Sequence, residues 1–214
     1  MPYEAYYNKM RKMIKKLIAL IMRKRLKSLD FTVISSNCWG AEIYRELGIE
    51  YRTPFVGTYM FIPCYIKMLK QLKEYLSGPV SFISVSKYRE ANIVRASNPY
   101  PVGLLGNDVE IHFMHYKTEV EAEEKWKRRI TRINWQKLFI QMSDRDGFTL
   151  ELLEEFQKLD FKNKVCFTSK PYPMFNSVVW IKQCQGKPYV MDGMSLYKAC
   201  KKYFNLISWL NSKA

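Results

Sequence analysis

The chain has 214 residues, 48% hydrophobic and 15% aromatic, with 35 Lys or Arg against 20 Asp or Glu and a net charge of +15. That length suits one domain, or one domain with an appendage, and buries enough surface to fold without staples. The composition excludes a disordered or collagen-like chain, and five scattered cysteines without a Cys-x-x-Cys argue against a disulfide framework or structural zinc and for reduced thiols inside a cell.

The charge is uneven. Residues 1–30 hold nine Lys or Arg against Glu4 and Asp30, nearly half of the whole excess. Met10, Met13, Ile14, Leu17, Ile18 and Ile21 recur at three- and four-residue steps and predict a basic amphipathic helix within residues 1–29. The longest strictly apolar run there, Leu17 to Met22, is too short to span a bilayer, and no signal-peptide pattern is present. Such a helix either packs its stripe on the domain or lies on an anionic membrane surface. Nucleic acid is the weaker partner, because the basic run lacks interleaved stacking aromatics and no recognition module occurs.

Residues 30–214 read as a single α/β domain. Phe31 to Ser35 is a β-branched strand that ends in the turn Ser36-Asn37-Cys38-Trp39-Gly40, with a short helix from Ala41 to Leu47. A helix is expected from Pro63 to Leu76 and a strand from Val80 to Val85, with residues 86–103 as a loop holding short elements. Val109 to Met114 alternates as a strand. Thr118 and Glu121 form a capping box for a helix of about 14 residues. Strands at 138–142 and 164–168, a helix capped by Thr149, a further strand near 177–181 and helical residues 192–212 complete the chain. Alternating strands and helices predict a layered α/β/α fold around a mostly parallel or mixed sheet.

In open α/β sheets ligands bind at the carboxyl ends of the strands. The polar residues at those ends are therefore the candidate site: Asn37 and Cys38, His115, Asp144 and Asp146, and Ser169 and Lys170. His115 is the candidate general base, with Asn37 and Asp144 beside it as catalytic candidates. Asp144 and Asp146 form an Asp-x-Asp, a pattern able to hold Mg or Mn against a diphosphate. Arg128, Arg129 and Arg132, with Lys170, are candidates for phosphate contact and Trp39 for substrate contact. Cys38 at a helix start is a possible nucleophile. His112 and His115 have opposite strand parity, which disfavours a shared metal and leaves His112 a surface or second-layer residue beside Glu110. No dinucleotide, P-loop or serine-hydrolase signature occurs.

Asn37-Cys38-Trp39-Gly40 with Tyr44, Leu47-Gly48, Tyr51 and Pro54 resembles a bacterial family of unknown function. His112 to Tyr116, Trp126, Arg128-Arg129, Arg132-Ile133-Asn134, Asp144 to Gly147, and Phe156 with Asn163-Lys164 fit the same family in the same order. Its members often carry the label exopolysaccharide biosynthesis protein. The shared blocks span about residues 30–185 and leave the basic helix outside. The resemblance implies a role in surface-polysaccharide assembly without a settled reaction. Two functions are expected to compete: a transferase using a nucleotide-activated sugar, in the cytoplasm and peripheral to the inner membrane, or a non-catalytic basic module binding anionic lipid, polymer or a partner of the synthesis complex.

Overall fold

The computed structural model describes residues 2–212. In chain order it comprises α1 (Pro2–Arg25), β1 (Thr32–Ser35), α2 (Trp39–Leu47), α3 (Ile62–Lys70), α4 (Leu72–Ser77), β2 (Val80–Ile83), α5 (Arg89–Ser97), β3 (Val102–Leu105) and β4 (Val109–His112). Then come α6 (Glu119–Ile130), β5 (Leu138–Ser143), α7 (Leu150–Lys158), β6 (Lys164–Thr168), β7 (Val178–Trp180), α8 (Gly193–Cys200) and α9 (Leu206–Leu210).

Four strands form an all-parallel sheet in the order β1-β5-β6-β7. The period-two alternation of each strand sorts its side chains into two cores. Ile34, Ile140, Met142 and Cys166 face one side, against Tyr65 and Met68 of α3, Trp126 of α6 and Leu153 of α7. Val33, Phe139, Val165 and Phe167 face the other, against Trp39, Ile43 and Tyr44 of α2 and Leu196 of α8. The expected layered α/β class is the observed one.

A second, antiparallel sheet, β2-β3-β4, extends the first core. It corrects one expectation and sharpens another. The strand bearing His112 does not join the parallel sheet, because β3 and β4 pair as neighbours across a tight turn at Gly106. The 86–103 stretch, expected as a loop holding short elements, holds the nine-residue α5 and the start of β3. β3 was obscured by Gly103, whose bare backbone the packing requires: a Cβ there falls 2.7 Å from both the Phe113 ring and Val80. The expected 63–76 helix breaks into α3 and α4 at Gln71, and the 192–212 helix into α8 and α9, whose start is capped by Asn205.

Among the described residues, α1 touches the domain near its C-terminal end. Ala19 is buried, Met22 and Leu26 pack against the second core, and Arg23 Nη1 donates to the Leu47 carbonyl at 3.1 Å. The apolar stripe does not pack on the domain: Met10, Met13, Ile14, Leu17, Ile18 and Ile21 are all exposed.

Candidate functional site

Because β1, β5 and β6 are parallel neighbours, their carboxyl ends lie side by side. β1 runs into Asn37, whose Nδ2 donates to Ser143 Oγ at the end of β5 (3.1 Å), while its Oδ1 accepts from the Trp39 amide at the start of α2 (3.0 Å). α8 approaches so closely that a Cβ on Gly193 would sit 2.8 Å from the Trp39 nitrogen and 3.1 Å from Asn37 Oδ1. Beside them a polar cleft of about 370 Å³ opens between residues 144–150 and Lys170, Tyr172 and Tyr189.

Asp144 is buried at the floor of this edge. Its Oδ2 accepts from the Ser169 amide (2.6 Å) and hydroxyl (2.8 Å), and its Oδ1 accepts from the Val190 amide (2.7 Å). Both oxygens are therefore committed to protein donors, and the residue clips β5 to the end of β6 and to the segment before α8. Asp146 lines the same cleft two residues further on. It occupies a left-handed turn, φ 52°, which Asp tolerates, and its carbonyl accepts from the Ile62 amide at the start of α3 (2.8 Å). Its carboxylate lies within electrostatic reach of Tyr59 and Tyr100. Burial pushes its pKa up, and Arg145 pulls it back in part. Asp144 thus accepts three protein hydrogen bonds, while Asp146 lines the cleft beside it. Among the described residues no group of three or more His, Cys, Asp or Glu is placed to hold a metal ion.

The free chemistry of the cleft belongs to its cations and rings. Arg145 stacks over the Tyr189 ring at 4.5 Å and donates one N–H to the Val190 carbonyl at 2.8 Å. It keeps further N–H groups, and Nε stands 4.0 Å from Asp146 Oδ2. Lys170 is exposed on the opposite rim, and Tyr172 lines the wall. The adjoining helix starts are already satisfied from within: Thr149 caps α7, and Asp192 caps α8. Arg145, Tyr172 and Tyr189 line the cleft without a motif that singles them out; Arg145 shows in the sequence only as the middle residue of Asp-Arg-Asp. A larger groove of about 600 Å³ between α3 and α7 is bordered by Lys67 and Lys70, which are already ion-paired to Asp108 and Glu155.

The other candidates are placed as follows. Trp39 is fully buried in the second core, with Nε1 donating to Cys200 Sγ at 3.3 Å, so it is a core residue and not a substrate contact. Arg128 and Arg129 of α6, and Arg132 just beyond its end, do not line the cleft. Arg132 pairs with Glu50 at 2.7 Å, near where β1 begins. Arg129 is buried, donating to the Tyr116 hydroxyl and lying 5.3 Å over the Tyr51 ring. Arg128 is exposed on α6 and does not line the cleft.

His115 lies beyond the end of β4, exposed, its amide donating to the Gly57 carbonyl at 3.2 Å. It faces Gly57, whose left-handed turn also neighbours Cys38, and is not part of the cleft lining. Burial raises the Cys38 thiol pKa and Arg45 offsets this only in part, which removes the basis for an activated nucleophile. His112 is fully buried, not superficial: it stacks on Tyr59 at 4.5 Å, and burial together with Arg95 lowers its pKa to about 3. The imidazole is therefore neutral, and its 3.6 Å approach to Glu110 is not an ion pair.

A parallel α/β protein with a cationic, tyrosine-walled cleft at the carboxyl edge of its sheet is the class that this geometry defines. The chain matches the domain of unknown function DUF1919 over residues 9–211 and belongs to that family. It is also similar to an uncharacterized protein of Haemophilus influenzae (strain ATCC 51907 / DSM 11121 / KW20 / Rd), with 37% identity over 214 residues and 98% of each chain covered. The family match begins inside α1, so most of the basic helix belongs to the shared region and not outside it.

Proposed function

We propose that this protein is a transferase of surface-polysaccharide synthesis whose cleft takes a nucleotide-activated sugar. The observation that carries the reading is the convergence of Arg145, Lys170, Asp146 and the rings of Tyr172 and Tyr189 around one polar cleft at the carboxyl edge of a parallel sheet. Arg145 and Lys170 hold the diphosphate, since guanidinium and ammonium groups match phosphate oxygens. The tyrosine rings offer flat faces for a base or a sugar. The polysaccharide context comes from the resemblance of the sequence blocks.

In this reading an acceptor hydroxyl attacks the anomeric carbon. The bond from that carbon to the diphosphate oxygen breaks, and the hydroxyl proton passes to Asp146, whose raised pKa makes it a stronger base than a surface carboxylate. Charge gathering on the leaving diphosphate is held by Arg145 and Lys170.

Calorimetric titration of the chain with a panel of uridine, guanosine, cytidine and thymidine diphosphate sugars tests this. One donor should bind, and Lys170→Ala should weaken it about tenfold, the order of one charge-assisted contact. Absence of binding across the panel, or unchanged affinity in both Lys170→Ala and Arg145→Lys, refutes it.

A further inference from the structure

α1 carries an apolar face that the domain leaves uncovered, and its docking contact lies on the other side of the same helix. Ala19, Met22, Arg23 and Leu26 meet the domain. At about 100° per residue those positions lie roughly opposite the stripe of Met10, Met13, Ile14, Leu17, Ile18 and Ile21. Leu17 is 57% exposed, Met13 63% and Ile21 50%. Tyr6, Tyr7 and Leu20, also exposed, widen the stripe to an arc of roughly 160°. A soluble monomer has no reason to display a continuous apolar face of this size.

The borders of the stripe identify what covers it. α1 holds Lys9, Arg11, Lys12, Lys15, Lys16, Arg23, Lys24 and Arg25, and Glu4 is its only acid. Lys9 and Lys16 fall along one edge of the apolar arc and Arg11 along the other, and Lys24 and Arg25 continue its line with charge past Ile21. Two copies of α1 laid stripe to stripe would bring basic edges against basic edges. An anionic lipid surface instead offers hydrocarbon to the stripe and phosphate to both edges, with the long cationic side chains reaching up to the headgroups. No helix of the described residues is long and apolar enough to cross a membrane, so the helix lies in the interface plane.

We propose that α1 is an interfacial anchor that seats the protein on an anionic membrane leaflet, stripe inward, with the α/β domain held on the opposite face. The proposal does not rest on what the cleft binds, since vesicle binding is read without any donor.

Flotation of the full chain with vesicles tests it. The chain should float with phosphatidylglycerol–phosphatidylethanolamine vesicles and not with phosphatidylcholine alone, and binding should fall as salt rises. Ile14→Glu with Leu17→Glu should abolish flotation. Both positions are exposed, so thermal melting should match the unaltered chain, confirming that the fold survives. Lys9→Gln with Lys16→Gln should lower partitioning by about fivefold per charge. The proposal is overturned if the chain stays in solution with anionic vesicles, if it binds neutral and anionic vesicles alike, or if it sediments as a dimer that the double glutamate variant dissociates without any vesicle binding.

Discussion

Replacing Asp144 by Ala separates a structural carboxylate from a catalytic one. The side chain accepts hydrogen bonds from the Ser169 amide, the Ser169 hydroxyl and the Val190 amide, all between buried residues. Alanine leaves two buried amide N–H groups without acceptors, while the Ser169 hydroxyl is free to turn. Each unsatisfied amide costs about 1–3 kcal/mol, so the variant should lose about 4 kcal/mol from a total of about 5–15. Asn keeps one carbonyl oxygen but turns an NH2 group toward a donor, so Asp144→Asn should lose roughly half as much. Urea unfolding followed by tryptophan fluorescence reads this directly. With a slope near 2 kcal/mol/M, Asp144→Ala should move the midpoint down by about 2 M at unchanged slope. A midpoint within about 0.5 M of the unaltered chain, together with loss of donor binding, would show that Asp144 is a ligand-binding group and that its three hydrogen bonds carry little stability.

Two further outcomes follow from the burial of His112 and the close approach of α8. An unfolded imidazole takes its proton near pH 6.5, whereas His112 in the fold takes one only near 3. The unfolded state therefore holds more protons between those values, and stability should fall as pH drops below about 6.5, by up to about 1.4 kcal/mol per unit. Chemical unfolding at pH 7.5, 6 and 5 should show that slope, and His112→Phe should flatten it. Gly193→Ala places a methyl 2.8 Å from the Trp39 nitrogen. It should cost about 1–3 kcal/mol and lower Tm by about 3 °C per kcal/mol in a scanning melt.

Local chemistry was the legible part of the sequence. Thr118 and Thr149 were readable as helix caps, and each does accept the amide three residues on, from Glu121 at 3.1 Å and Leu152 at 3.3 Å. Strand parity correctly paired His112 with Glu110 on one face. Which side of that face is dry was not legible, because the cover comes from Tyr59, a loop residue more than fifty positions away. The same limit applies to Arg129 on α6 and Arg132 just after it. Helical spacing suggests a shared face, but only the distant partners Tyr51 and Glu50 decide where each side chain goes. The structural duty of Asp144 was hidden for a related reason: its donors come from Ser169 and Val190, residues that only the folded sheet brings to it.

The docking contact of α1 and the cleft sit at opposite ends of one element. α2 begins at Cys38 and Trp39, beside Asn37 and the carboxyl edge, and ends at Leu47 and Gly48, where Arg23 and Ala19 of α1 dock. Nine residues at 1.5 Å each put those ends about 13 Å apart. A rigid helix between them fixes the orientation of the cleft relative to α1 without any side chain belonging to both. The two proposals therefore fail separately. Glutamates in the stripe at positions 14 and 17 should leave donor affinity in solution unchanged, and Lys170→Ala should leave vesicle flotation unchanged. A stripe variant that weakened donor binding in the absence of lipid would mean that α1 shapes the cleft itself, which its contacts, confined among the described residues to Ala19 and those after it, give no means of doing.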